Sequence, residues 1–254
     1  MRLAKSLAWI IGVALGRPKS RKGRAVGLGL VSVVLTYVGL LTFPGVLFAH
    51  YHEHSAFRVW SDELIDPSIA DALDIAEARL ARSPIHDPQM VHRLFICNDP
   101  LRMKFFARGT QAFGVTYAMR HNTFLNRAEI SADRIFRNSP EQNKRPLSSV
   151  IAHERTHALL LSHYGLMTEY FLPTWKKEGY CEYIGGHPSF DYEEGKRLIR
   201  ERRDSQSPAF RYFEFYLMVK YLIDIEHRSL DELVSKSFDE AEVRVKVRGA
   251  IDRL

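Results

Sequence analysis

The sequence predicts an α+β domain that follows a single N-terminal transmembrane helix. Residues 25–49 form an apolar run without a charged residue, long enough to cross a bilayer as a helix. Residues 57–130 contain several short runs of alternating apolar and polar residues, which indicate strands. From residue 147 onward, apolar residues recur at helical intervals. The 254 residues, of which 46% are hydrophobic, suffice for one sizeable domain and an attached segment.

The apolar run at residues 25–49 is interpreted as an uncleaved membrane anchor. Pro44 and Gly45 are expected to kink or end its helix near one membrane interface. A cleaved signal peptide is the nearest alternative, but the basic region before the run is long and no A-x-A cleavage site follows it. A buried core helix is a further alternative, which the length of the run and its basic flank disfavour.

Basic residues are concentrated at the N-terminus. Residues 1–24 contain seven Lys or Arg and no acid, and this charge of +7 exceeds the formal net charge of +6 for the whole chain. The remaining residues therefore carry a net charge of −1, and a nucleic-acid-binding face is not expected. The positive-inside rule assigns residues 1–24 to the cytoplasm as a basic tail and residues 50–254 to the periplasmic or external side of the cell membrane. The tail is expected to contact anionic lipid headgroups.

Local patterns predict the first elements of residues 50–254. His50, His52 and His54 form an H-x-H-x-H run that is interpreted as a juxtamembrane linker. An amphipathic helix is expected at residues 69–82. Short strands are expected at residues 57–60, 92–97, 113–119 and 124–130. The stretch 124–131 is the candidate edge strand, with which an extended peptide can pair.

The central motif is His153-Glu154-x-x-His157, within a predicted helix of residues 147–163 that ends near Gly165. Positions i and i+4 share one helix face, so both imidazoles point the same way and can hold one metal ion. Glu154 lies beside them and can accept a proton from a water molecule whose pKa the metal lowers. A catalytic zinc also needs a third protein ligand and an open fourth position.

Two residues are candidates for the third ligand. His163 stands six residues after His157, but a continued helix turns it well away. Glu178 is the better candidate, because the twenty residues between it and His157 allow a turn and an antiparallel second helix that begins near Pro173. Glu182 shares the helix face of Glu178 and can accept a hydrogen bond from the free ring N–H of a metal-bound histidine.

The motif and the second helix together resemble a known family. An HExxH motif followed by Trp-x-x-Glu-Gly-x-x-Glu-Tyr, here residues 175–183, resembles the gluzincins, the thermolysin- and aminopeptidase-like zinc metallopeptidases. The resemblance covers residues 147–183 and implies a zincin-like core, with His153, His157 and Glu178 as Zn²⁺ ligands. It also implies Glu154 as the general base and Glu182 as the carboxylate behind a ligand histidine. The Gly-Ala-Met-Glu-Asn exopeptidase signature is absent from the sequence, so aminopeptidase specificity is not implied.

The C-terminal part is predicted to be helical, with an aromatic-rich helix at residues 209–223. In the peptidases that the chain resembles, a tyrosine of this helix can face the metal. Tyr212 is therefore the first candidate for a donor to the oxyanion and Tyr216 the second, while His187 and His227 are further candidates. The alternative is that both phenol rings pack in the core. One or two amphipathic helices are expected to close the domain at residues 230–254.

The two cysteines, Cys97 and Cys181, permit one disulfide in an extracytoplasmic domain, although Cys181 fits equally well as a small buried residue. The function expected from these patterns is that of a membrane-anchored zinc metallopeptidase acting on a peptide or protein substrate. The alternative is a non-catalytic zinc-binding or envelope interaction module that keeps the peptidase fold. A membrane-embedded peptidase with several spans is disfavoured, because the sequence has one hydrophobic span.

Overall fold

Contacts divide the chain into two compact units, Met1–Leu47 and Phe48–Leu254. The structure is a computed structural model and describes residues 21–107, 112–137, 144–203 and 205–254. Most of the predicted basic tail therefore lies outside the described residues. The boundary between the units lies two residues before the end of the predicted membrane anchor at residues 25–49.

The first unit contains helix α1, Arg21–Thr42, followed by a short 3₁₀ turn at Pro44–Leu47. Its window Ala25–Thr42 has a mean hydropathy of 2.1 and is long and apolar enough to cross a membrane. By its length and composition, a helix of this kind near the N-terminus could be a membrane span or a signal sequence. It ends before Pro44, as predicted, because the proline restricts the preceding residue to extended conformations and has no N–H to donate.

The second unit opens with five strands, β1 His50–His54, β2 Phe57–Ser61, β3 His92–Ile96, β4 Gly114–Thr116 and β5 Asn122–Leu125. They form a mixed sheet in the order β1-β2-β3-β5-β4. Strands β2, β3 and β5 are parallel, whereas β1 and β4 join the two edges in antiparallel orientation. The predicted helix appears as α2, Ile69–Leu80, which provides the crossover between β2 and β3 that a parallel pair requires.

Two sequence-based expectations are wrong for this sheet. The H-x-H-x-H run is not a linker but strand β1, which pairs with β2 so that His50 faces Ser61 and His54 faces Phe57. The edge strand near the predicted site is β4 and not the stretch 124–131, because β5 lies between β3 and β4. All four residues of β5 are buried, which is typical of an interior strand.

A second, three-stranded antiparallel sheet leads into the central helices. It consists of β6 Ala128–Glu129, β7 Arg134–Phe136 and β8 Lys144–Pro146. A short helix, α3 Pro100–Phe106, precedes β4 in the chain. Helix α4, Leu147–Phe171, contains the HExxH motif and is kinked at Gly165, whose φ of 82° and ψ of 163° are not helical. The predicted helix end near Gly165 is thus a kink, after which a further helical segment continues to Phe171.

Helix α5, Thr174–Gly185, follows a two-residue connection and ends at Gly186, which adopts the left-handed conformation (φ 71°) favoured by glycine. A Cβ at Gly179 would lie 2.4 Å from the carbonyl oxygen of Phe215, so only glycine permits this close packing of α5 on helix α7, Pro208–Lys220. The remaining helices are α6 Tyr192–Arg200, α7 Pro208–Lys220, α8 Leu230–Ser235 and α9 Glu240–Gly249. A π-helical turn, Tyr221–Ile225, extends α7.

The first half of α4 is buried, and Arg155 ties this segment to the sheet. The fully buried Arg155 donates from Nε to His92 Nδ1 at 2.8 Å on β3, and from Nη1 to Thr123 Oγ1 at 3.1 Å on β5. These bonds hold the neighbouring Glu154 and His153 at a defined height above the sheet. The predicted α+β class is confirmed, with a small mixed sheet, a helical C-terminal half and one apolar N-terminal helix.

Candidate metal centre

The two histidines of the motif and a glutamate from the next helix converge on one point. His153 Nε2 and His157 Nε2 each lie 3.5 Å from Glu178 Oε2. The two histidines come from successive turns of α4, and Glu178 comes from α5, which packs beside it. Ligand atoms that surround a tetrahedral ion at about 2.0–2.1 Å lie roughly 3.3 Å from one another. The two distances from the carboxylate oxygen to the imidazoles fit such an ion.

Cys181 also belongs to this group of residues and was missed from the sequence. Its sulfur and one nitrogen from each of His153 and His157 all lie within 4.8 Å of one another, so these three residues can hold a metal ion. Cys181 stands three residues after Glu178, on the same face of α5, and this spacing was the available signal. The described residues therefore offer two sets of three ligands that share the histidines: one is completed by Glu178, which lies 3.5 Å from both imidazoles, and the other by Cys181.

The charges around these atoms favour a cation. Burial alone would lower the pKa of His153, but the carboxylates of Glu178 and Glu182 outweigh it and raise this pKa to about 10. Burial would raise the pKa of Glu178, but the imidazoles of His157 and His153 hold it far below its usual range. Burial, followed by the charge of Glu178, raises the pKa of Cys181 well above its usual value. Glu178 is thus ready to bind a metal, whereas Cys181 must first lose a proton.

Behind His153, a buried ion pair holds the second carboxylate of α5. Glu182 Oε1 lies 3.3 Å from His153 Nδ1, although this ring nitrogen makes no well-aligned hydrogen bond. Arg145 binds Glu182 with two nitrogens at 3.0 Å each, and Ser189 Oγ donates to it at 2.6 Å. Burial would raise the pKa of Glu182, but the Arg145 charge outweighs it and lowers this pKa to about 2. Arg145 was not singled out from the sequence.

The edge strand β4 lies directly over Glu154. Thr116 Oγ1 is 2.9 Å from Glu154 Oε2 and 3.0 Å from the carbonyl oxygen of the same residue. A Cβ at Gly114 would lie 2.8 Å from Glu154 Cγ and 3.0 Å from its Oε1. Glycine at this position therefore allows the strand to approach the glutamate, and Thr116 orients the carboxylate.

These residues line a cleft of about 500 Å³. Its walls carry Gly114, Thr116, Arg145, His153, Glu154, His157, Glu178, Glu182 and Tyr212. Tyr212 reaches the cleft from α7. Burial, followed by the charge of Glu178, raises the pKa of Tyr212 to about 12, so its hydroxyl keeps its proton at neutral pH.

The other sequence candidates lie elsewhere. Among the described residues that line the cleft, none is Tyr216, His187, His227 or His163. The ring of Tyr216 packs near Tyr192 and Phe213 in the core. The exposed His163 packs against Tyr164, as expected for a residue turned away from the site by a continued helix. Cys97 and Cys181 are both buried and free, so they form no disulfide in this structure.

Comparisons with known proteins leave the chain without an assigned family. No protein-family model matches it, and no curated protein sequence matches it either. Function must therefore be inferred from the residues of the cleft.

Proposed function

We propose that the chain is a zinc-dependent peptidase of the gluzincin type, with a zincin-like core in the unit Phe48–Leu254. The observation that carries this proposal is the convergence of His153 Nε2, His157 Nε2 and Glu178 Oε2, with 3.5 Å from each imidazole to the carboxylate. Two histidines and one glutamate leave a fourth position open, as a catalytic zinc requires. Zinc suits this mixture of imidazole and carboxylate ligands.

The catalytic roles follow from what surrounds these ligands. A bound zinc ion supplies Lewis acidity, which polarises a carbonyl group and lowers the pKa of a water molecule. Glu154, oriented by Thr116 at 2.9 Å, accepts the proton of the attacking water and passes it to the leaving amine. Tyr212, protonated at neutral pH, donates to the oxygen on which negative charge develops. Arg145 and Glu182 fix the orientation of the His153 ring.

The position of β4 supports a peptide as the substrate. Within the described part of the chain, β4 pairs on one side only, with β5, and its residues Gly114–Thr116 line the cleft. The unpaired edge can add an extended peptide as a further strand, which would run past Glu154. We also propose that α1 anchors the chain in the cell membrane, with its N-terminus in the cytoplasm and the second unit on the other side.

The test is metal analysis and turnover of the full chain, purified in a neutral detergent. We expect about one equivalent of zinc per chain and hydrolysis of peptides from a mixed peptide library. Glu154→Gln should reduce turnover by at least about a hundredfold and leave zinc content and melting temperature unchanged. Zinc content below about a tenth of an equivalent in the parent chain, or unchanged turnover in Glu154→Gln, would contradict the proposal.

One observation favours a second candidate function. If Cys181 bound the ion together with the two histidines, the site would have the thiolate ligand that is common in closed, structural zinc sites. The chain would then be a non-catalytic zinc-binding or envelope interaction module. Cobalt substitution separates the two cases, because a Co²⁺–thiolate bond gives an intense charge-transfer band. A band that disappears in Cys181→Ala identifies the closed site, and its absence in the parent chain supports the open, catalytic one.

A further inference from the structure

A second cavity, of about 570 Å³, lies beside helices α6, α7 and α9. Among the described residues that line it, five are arginines and one is an acid, Glu214. The arginines are Arg202, Arg203, Arg211, Arg244 and Arg248. Of the described residues that line the metal cleft, only Pro208 also lines this cavity. The cavity is therefore a separate site, which the proposed peptidase chemistry does not use.

Most of this positive charge has no partner among the residues that the structure describes. Glu214 lies 2.5 Å from Arg244, which also contacts Glu240 at 2.9 Å, so this acid is already paired. Arg203 lies 3.4 Å from Glu201. Arg202, Arg211 and Arg248 form no ion pair and donate no side-chain hydrogen bond to any residue that the structure describes. Three guanidinium groups thus remain available to a ligand.

One aromatic ring holds two of the arginines in place. The guanidinium carbon of Arg211 lies 5.4 Å from the centre of the Phe215 ring, and that of Arg244 lies 5.7 Å from it. Stacking on a ring restricts the rotamers of both arginine side chains. These side chains therefore lose less conformational entropy when a ligand binds. Like charges held near one another repel, and an anion bound between them relieves that repulsion.

Arg202 occupies a position where glycine is normally preferred. It follows the C-terminus of α6 with a φ of 54°, in the left-handed region. Its N–H bonds to Ile199 O at 3.2 Å, and the N–H of Arg203 bonds to Leu198 O at 2.9 Å, which together form a Schellman motif. An arginine in this conformation destabilises the fold relative to glycine. Its side chain instead supplies a guanidinium group to the cavity wall.

The N-terminus of α7 adds a further attraction for anions. Ser207 is the N-cap of this 13-residue helix and makes no side-chain capping hydrogen bond. Ser207 and Pro208 both line the cavity, so the positive end of the helix dipole faces the same space as the arginines.

We infer that this cavity binds a phosphate-bearing anion. The planar guanidinium fork matches phosphate oxygens in pairs, and a phosphate monoester carries up to two negative charges against the three unpaired arginines. The volume is within the range of small-molecule sites. The same phosphate chemistry occurs in soluble phosphate esters and in phospholipid headgroups.

The experiment is calorimetric titration of the full chain in a neutral detergent with inorganic pyrophosphate and, in a second arm, with short-chain phosphatidate. The test variant is the double substitution Arg211→Gln with Arg248→Gln. Its control is Arg127→Gln with Arg134→Gln, which removes the same charge from exposed positions outside the cavity. Arg127 matches Arg211 closely, because its guanidinium lies 4.9 Å from the Phe136 ring.

We expect the test variant to weaken the binding of at least one probe by about tenfold or more, and the control by less than about twofold. A preference for phosphatidate over pyrophosphate that the test variant abolishes identifies a lipid headgroup. Binding of pyrophosphate that is as tight as that of phosphatidate, or tighter, identifies a soluble phosphate ester as the natural ligand class. No saturable binding of either probe by the parent chain, or equal losses in test variant and control, would overturn the inference.

The variant Arg202→Gly distinguishes the loss of a phosphate-binding guanidinium group from a loss of fold stability. Glycine relieves the left-handed conformation, so we expect the melting temperature to stay or rise while the same probe binds at least about threefold more weakly. Unchanged affinity in this variant would remove Arg202 from the site and count against the inference. A zinc ion in the metal cleft would be common to the parent chain, the test variant and the control, so the differences between them depend neither on that ion nor on peptide hydrolysis.

Discussion

Arg145 and Glu182 form a two-pronged buried ion pair, in which Nη1 and Nη2 lie 3.0 Å from Oε1 and Oε2 respectively. Glu182 Oε1 is in turn 3.3 Å from His153 Nδ1. Arg145 thus acts on a proposed metal ligand through one carboxylate, and it comes from the strand that leads directly into the HExxH helix.

Removing Arg145 should disturb both stability and metal binding. Arg145→Met leaves the buried Glu182 carboxylate without its main partner, which costs about 3–5 kcal/mol of unfolding free energy. The His153 ring is then less well oriented, and we expect zinc affinity to fall about tenfold or more. Competition with a chelator measures this affinity. The double variant Arg145→Met with Glu182→Gln should lose little more affinity than either single variant, because both act through one contact. Additive losses of zinc affinity in the double variant would show that Arg145 does not act on His153 through Glu182.

The hydroxyl of Tyr212 is expected to act on the reaction and not on the fold. Tyr212→Phe keeps the ring but removes the donor in the cleft, so turnover should fall by about tenfold or more. Zinc content and melting temperature should change little. Tyr216→Phe is the matched control, since Tyr216 lies one turn further along the same helix with its ring packed near Tyr192. Turnover of Tyr212→Phe within about twofold of the parent value would exclude Tyr212 as the donor.

Gly114 should be intolerant of even one methyl group. In Gly114→Ala, the Cβ would lie 2.8 Å from Glu154 Cγ, so either the strand or the glutamate must move. A displacement of about 1 Å in the proposed catalytic base Glu154 should reduce turnover by roughly a hundredfold. Gly249→Ala is the control, because a Cβ there meets no atom within 4 Å. Near-normal turnover of Gly114→Ala with unchanged zinc content would show that Glu154 does not need its present position.

The parts of the site that the sequence predicted are those governed by local geometry. His153 and His157 share a face because they are four residues apart, and Glu178 and Glu182 repeat that spacing on the next helix. The connection between the helices is short, so the two faces meet. The amphipathic pattern of residues 69–82 and the alternation around His92 likewise depend on near neighbours.

The parts that were missed depend on contacts between distant segments. Arg145 and Glu182 are 37 residues apart, and no local pattern pairs them. The order of strands in the sheet places β5 inside and β4 at the edge, although both have similar apolar runs. The H-x-H-x-H run becomes a strand because β2 offers it a partner, which its own composition does not indicate. Cys181 was considered for a disulfide, and its position beside the two histidines became evident only in the structure.

The last prediction concerns the buried contact between His92 and Arg155. Arg155 Nε donates to His92 Nδ1 at 2.8 Å, so this nitrogen must be an acceptor and the imidazole must be neutral. Burial, followed by the charge of Arg155, lowers the pKa of His92 to about 2. In the unfolded chain the same imidazole takes up a proton below about pH 6.5. Its contribution to stability is therefore complete above that pH and is lost progressively as the pH falls towards 2.

Each pH unit below about 6.5 should cost roughly 1.4 kcal/mol of unfolding free energy through His92 alone. His92→Asn keeps an acceptor near the position of Nδ1 but does not titrate. The free energy of unfolding of this variant should therefore fall less steeply between about pH 6.5 and 4.5. The difference in slope from the parent chain should be close to that of one bound proton, about 1.4 kcal/mol per pH unit. Denaturant titrations of the full chain across this range measure both slopes, and His163→Asn controls for the loss of an exposed imidazole. The other histidines are common to parent and variant, so equal slopes would mean that His92 is not held neutral by its contact with Arg155.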